Sequence, residues 1–152
     1  MPTDLWRFAE ALYQDPEVEQ ACLQLQTQGA DVCLLLCAAW LETRQVACND
    51  DRITALRDVT QSWRQQVVVP LRQLRQSWRN SAQSDQALAA LREQVKKLEL
   101  EAEREQLQRL ARCTQSWPDG AANAALNWLE RLAPEPGCRD ALHRLRIAAT
   151  TP

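Results

Sequence analysis

The stretch Ala30-Asp-Val-Cys-Leu-Leu-Leu-Cys-Ala-Ala-Trp-Leu41 decides the fold. Eleven of its twelve residues are apolar, whereas the segments on either side are amphipathic and rich in charge. A helix that is apolar all round has no face to offer water and must be covered on every side. Twelve helical residues span about 18 Å, well short of the roughly 30 Å hydrocarbon core of a bilayer. The stretch therefore reads as the central post of a water-soluble helical domain, running over about residues 31–43.

The rest of the chain supplies the wrapping. At 152 residues it is long enough for one domain with a real core. Good helix formers dominate, only three glycines occur, and β-branched residues are scarce outside Val67-Val68-Val69. The expectation is an all-α, compact helical bundle of about five to seven helices around the post. Leu5, Phe8, Ala9 and Leu12 fall on one face of a first helix over about 4–14, with Thr3 as its N-cap. Asp15-Pro16 restarts the chain, because Asp caps and a proline at the first helical position wastes no hydrogen bond. Val18, Ala21, Cys22 and Leu25 form the next buried stripe, and Gly29 supplies a left-handed stop.

After the start signal Asn49-Asp50-Asp51, apolar positions recur at Ile53, Leu56, Trp63, Val67, Leu71, Leu74 and Trp78. The spacing passes straight through Pro70, which predicts one helix over about 50–80 kinked at that residue. Ser84 reads as the cap of a long helix over 85–113, whose Leu88, Leu91, Val95, Leu98 and Ala102 keep a heptad-like step. Two or three heptads are short for an independent coiled coil, and an antiparallel hairpin with 50–80 explains them as well. Glu93–Lys97 and Glu105–Arg109 have the i, i+4 spacing of helix-surface ion pairs. Trp117-Pro-Asp-Gly120 is a turn, with Trp117 expected at the surface. A short helix over 121–133 burying Leu126, Leu129 and Leu132, a break at Pro134-Glu-Pro-Gly137, and a last helix over 138–148 complete the chain. The division is a bundle over 1–115 and a C-terminal helical appendage over 116–152, packed on the same domain.

Net charge is −2, but its distribution is uneven. Residues 1–49 carry seven acids and two bases, and residues 50–80 six arginines and three aspartates. On a helical wheel Arg57, Arg64, Arg72, Arg75 and Arg79 share an arc of roughly 80°. Such a stripe can bind phosphates or an acidic partner. It can equally pair internally with the acidic front of the chain or with Glu99 to Glu105. Nucleic-acid binders carry a net basic domain, and this one is slightly acidic. Six tryptophans are present, and Gln-Ser-Trp occurs three times without a consistent period. Trp63 and Trp78 fall on the apolar face and read as core.

Catalytic readings find little to build on. His143 is the only histidine, with Asp140 the one acid at helical spacing, which reads as a surface pair. Six cysteines lack a Cys-x-x-Cys, and Cys33 and Cys37 inside the post behave as small hydrophobes. Three scattered glycines make no phosphate loop, and Asp50-Asp51 is better explained by capping than by metal binding. No cofactor is expected. The N-terminus has no signal-peptide pattern and no run is long enough to span a membrane, so the expected setting is cytoplasmic.

The segments Asp4–Tyr13, Gly29–Leu41, Val69–Arg75 and Leu91–Glu103 resemble an uncharacterised family of short proteobacterial proteins, about 160 residues long, a single-domain length. The resemblance covers roughly residues 4–112. It implies a bacterial cytosolic setting and carries no activity, ligand or catalytic residue. The functional expectation is a non-enzymatic interaction or adaptor protein with a protein partner on the arginine stripe. The alternatives are RNA or DNA binding through the same arginines, and a small ligand held inside the bundle.

Overall fold

A computed structural model describes residues 5–27, 29–120, 126–133 and 139–150. All regular structure among these residues is helical. Helices α1 (Leu5–Tyr13) and α2 (Pro16–Thr27) precede the post, α3 (Val32–Thr43). Then come α4 (Asp50–Trp63), α5 (Val69–Ser77), the long α6 (Gln86–Cys113), α7 (Trp128–Leu132) and α8 (Arg139–Thr150).

Local chemistry sets these boundaries. Asp15 accepts from the Glu17 amide at 3.0 Å and its carbonyl starts the hydrogen-bond ladder of α2. Gly29 takes φ +85°, and the Ala30 amide then reaches back to the Leu25 carbonyl at 3.0 Å. That left-handed residue closes α2 and turns the chain into the post. Asp31 caps α3 by accepting from the Leu34 amide. At the other end of α3, Gln45 occupies the left-handed position (φ 55°) and the Val46 amide bonds to the Leu41 carbonyl at 3.0 Å. Asn49 caps α4. Asp85, one residue beyond Ser84, caps α6 through the Leu88 amide. The Thr3 cap and the Pro134–Gly137 break fall outside the described residues.

The post is what the sequence demands. Nine consecutive residues, Cys33 to Leu41, are buried. α1, α2, α4, α6, α7 and α8 all pack against α3. One continuous core joins Leu5, Leu12, Val18 and Leu25 to the post, and continues through Leu56, Leu110, Trp128, Leu129 and Leu145. The C-terminal helices are built into this wrapping: α7 lies on α3, and α8 lies on α2 and α3. α7 begins later than the sequence indicates and buries Trp128 as well as Leu129 and Leu132, while Leu126 precedes the helix, half-buried. Trp117 is half-buried against Trp128 (ring centroids 5.8 Å apart) with the Arg52 guanidinium over it.

Pro70 produces a local widening of the helix. Over Arg64–Val68 the backbone switches to π-helical hydrogen bonding, and the Val69 amide bonds to the Arg64 carbonyl. The extra residue in that turn accommodates a proline that lacks an N–H and crowds the carbonyl four residues back. It also advances the phase of everything that follows. Val68 is buried where Val67 was expected, Leu74 is exposed and Trp78 is only half-buried; Trp63, just before the turn, is half-buried as well. In α6 the same shift in partners leaves Leu91 and Leu98 half exposed and buries Glu99 and Gln106 beside Val95 and Ala102.

Candidate functional site

Two features of the described residues stand out, a helical arm and a cleft. Polar networks beside them engage Arg64, Arg72 and Arg75.

The first network sits where α3, α4 and α6 meet. Asp31 accepts from Thr60 Oγ1 at 2.9 Å and from Gln106 Nε2 at 2.9 and 3.0 Å, with Arg64 Nε 3.9 Å away. Thr60 and Gln106 are themselves hydrogen-bonded. The second network joins α5 to α6. Arg75 donates from Nε to Glu99 Oε1 at 2.5 Å, and Arg72 from Nε to Glu99 Oε2 at 3.1 Å. Arg72 also reaches Glu103 Oε1 at 3.5 Å. Burial alone would raise the Glu99 carboxyl, but the hydrogen bonds from Arg75 and Arg72 outweigh it and hold Glu99 below the usual range. Glu103 goes the other way, pushed up by burial and by the neighbouring Glu99 charge.

The five arginines of the stripe thus separate, because the π-helical turn rotates the later ones relative to the earlier. Arg57 donates to the Arg131 carbonyl at 2.8 Å and Arg64 sits beside Asp31. Those two share a polar hollow of about 260 Å³ with Thr60 and Gln65. Arg72 and Arg75 face α6, and Arg79 is exposed near the hairpin turn beside Arg92. The basic middle pairs with α6 far more than with the acidic first helices, whose Glu10, Glu17 and Glu19 are exposed. Of the surface pairs, Glu105–Arg109 forms at 2.9 Å, whereas Glu93 meets Lys96 in place of Lys97. His143 and Asp140 are both exposed on α8.

The arm is α5 with the first half of α6. The common core takes no residue between Val59 and Leu107, so this hairpin stands outside it. α5 buries no residue completely and packs on α6. On a helical wheel Leu71, Leu74 and Trp78 occupy one edge of α5, and Ala87, Leu91 and Leu98 one edge of α6. The pairings Arg75–Arg92 and Arg72–Glu103 show that the helices run antiparallel, which brings both edges to the same side. Leu74 is 38%, Leu91 50% and Leu98 50% exposed. Arg72, Arg75 and Glu99 turn to the helix–helix contact, which leaves this side largely apolar, with the uncharged Gln94 between Leu91 and Leu98.

The cleft lies between α1, α3 and α6 and encloses about 540 Å³. α1 presents Trp6, Ala9 and Tyr13 to it, three residues at i, i+3 and i+7. α3 contributes Val32, Cys33 and Leu36, and α6 contributes Leu100, Glu103 and Leu107. The sequence assigns α1 a face of Leu5, Phe8, Ala9 and Leu12, which reaches the cleft at Ala9 and misses Trp6 and Tyr13. The aromatic pair Trp6 and Tyr13 at helical spacing was the available signal. Burial pushes the Tyr13 hydroxyl and the Cys33 thiol well up from their ordinary ranges. Burial likewise pushes the Cys22 thiol up to about 11.

Together these features define an all-α bundle with a helical arm and a cleft. Among the described residues no cluster of three metal-ligating side chains occurs, and no helix is long and apolar enough to cross a membrane. The profile of the family described as "Protein of unknown function (DUF2390)" matches residues 4–110. The chain belongs to that family. No curated protein and no solved structure matches it.

Proposed function

We propose that the chain is a non-enzymatic interaction protein whose helical arm docks an amphipathic helix of a protein partner. The observation that carries this reading is the uncharged side of the arm, where Leu74, Leu91 and Leu98 stand exposed. A two-helix hairpin cannot bury both of its faces alone, and a third helix with apolar residues at i, i+3 and i+7 completes a three-helix seam. Apolar patches of this kind, rimmed by charge, mark interaction sites. Nucleic-acid binding through the arginine stripe draws less support, since Arg72 and Arg75 already hold Glu99.

The test is photo-crosslinking from Leu91 and Leu98 in cells that naturally make the chain, with a control crosslinker at the exposed Arg112. The expected result is an adduct with a different protein, seen from Leu91 and Leu98 alone, resistant to nuclease and lost in the Leu74→Lys variant. Adducts only with a second copy of the chain, adducts that vanish with nuclease, or equal labelling from Arg112 each overturn the proposal.

A further inference from the structure

We infer that the cleft between α1, α3 and α6 is a binding site for an organic cation, an amine or quaternary ammonium group carried on an apolar body. The charged side chains lining it are two carboxylates, Glu10 and Glu103, and no lysine or arginine lines it. Trp6 and Tyr13 place aromatic rings in the same wall, and the Arg104 guanidinium over the Trp6 ring, 5.0 Å from its centroid, shows that ring already engaging a cation. Carboxylates beside aromatic faces attract an ammonium group, more strongly as water is displaced. The opposite wall, with Val32, Leu36 and Leu107, is apolar and suits a hydrocarbon body. The volume of about 540 Å³ is that of a small-molecule pocket.

The carboxylates also select against other ligands. An anion would meet two like charges, with Arg72 already engaged by Glu99 and Glu103. A neutral apolar body would dry the cleft beside Glu103 and bring no charge in return, which costs free energy. Glu103 is anchored from behind by Arg72 on Oε1, so the carboxylate is held in position before a ligand arrives. Glu99, Arg72 and Arg75 are the other charged groups that act on Glu103. Tyr13 and Cys33, which also face it, stay neutral through the physiological range. A carboxyl raised by burial and by Glu99 ionises more readily beside a bound cation, so binding tightens as pH rises through the carboxylate range.

The site is separate from the leucine side of the arm, and its test can succeed or fail independently of the partner proposal. Titration calorimetry on the full chain compares octyltrimethylammonium, octanoate and octanol, with amide chemical shifts locating each. The expected result is ammonium binding stronger than either analogue by on the order of tenfold, with shifts concentrated in α1, α3 and α6. Glu103→Gln keeps the oxygen that Arg72 holds and should weaken the ammonium by about tenfold while leaving octanol unchanged. Glu10→Gln, at an exposed position, should weaken it less and without effect on folding, and Leu91→Lys not at all. Equal binding of the three probes, preference for octanoate, no ammonium binding at millimolar concentration, or shifts outside these helices would each overturn the inference.

Discussion

Asp31 shows how much one residue carries here. It caps the post, accepts from Thr60 and Gln106, and lies beside Arg64. Asp31→Ala removes a cap worth about 1 kcal/mol and leaves buried donors on Gln106 and Thr60 unsatisfied, at about 1–3 kcal/mol more. Urea unfolding should show a loss of that combined size. Gln45 offers the reverse. A side chain in the left-handed region carries strain of about 1–2 kcal/mol, partly offset by glycine's greater unfolded-state entropy. Gln45→Gly should therefore raise stability by about 0.5–1 kcal/mol in the same assay. Glu99 and Glu103 give opposite pH signatures. Glu99 is held low, so its contribution is fully present above the ordinary glutamate value and is lost as pH falls through its folded value. Glu103 is raised, so the folded state favours its neutral form, and its contribution is lost as pH climbs through its raised value. Unfolding curves between acid and neutral pH should show a shallower acid limb in Glu99→Gln and a gain confined to higher pH in Glu103→Gln. Caps were legible in the sequence because they depend on neighbours two or three residues away, as at Asp15 and Asn49. At Ser84 and Asp85 two adjacent residues with equal capping chemistry left the choice to the turn geometry. Pairing of the stripe with Glu99 to Glu105 was one reading of the sequence, but which of these acids is buried was not legible, since it depends on how α5 packs on α6.

At the level of elements, the decisive event is the π-helical turn before Pro70. Regular α-helical counting holds on either side of it and fails across it. The periodicity therefore located the helix correctly and misassigned the faces of α5 and the five-arginine stripe. Deleting Gln66 would restore regular winding and rotate α5 by about 100° relative to α4. Arg72 and Arg75 would then leave Glu99 buried without its counter-charges. The expected outcome is a large fall in melting temperature, against a change within about 0.5 kcal/mol for Gln66→Ala at the same exposed site. The same geometry changes how charge reversal on the stripe should be read. Reversing Arg64, Arg72 and Arg75 breaks two internal networks, so loss of a partner in that variant would report folding. Leu91→Lys and Leu98→Lys act on half-exposed side chains and leave the networks intact, which makes them the cleaner probes of docking.

For the molecule as a whole, the post was the most legible feature, because an all-apolar helix of this length permits only burial. What covers it was less so. The matched family segment ends at residue 110, yet Trp128, Leu129 and Leu145 complete the wrapping. Trp128 also donates from its indole to the Val46 carbonyl at 2.7 Å. Truncation after residue 115 should therefore give a chain that fails to melt cooperatively, as judged by calorimetry, and Trp128→Ala should cost about 3–5 kcal/mol. The weak amphipathic signal of α7, only five residues long, explains why this section read as an appendage.

Burying thiols in the post has a practical consequence. Among the described cysteines, Cys22 and Cys37 are sealed in the interior, Cys33 lines the cleft, and Cys48 and Cys113 sit part-way to solvent. An alkylating reagent should tag Cys48 and Cys113 first, and Cys22 and Cys37 together, at the pace of global opening. The molecule thus carries its own clock for conformational breathing, readable by mass spectrometry without a single engineered label.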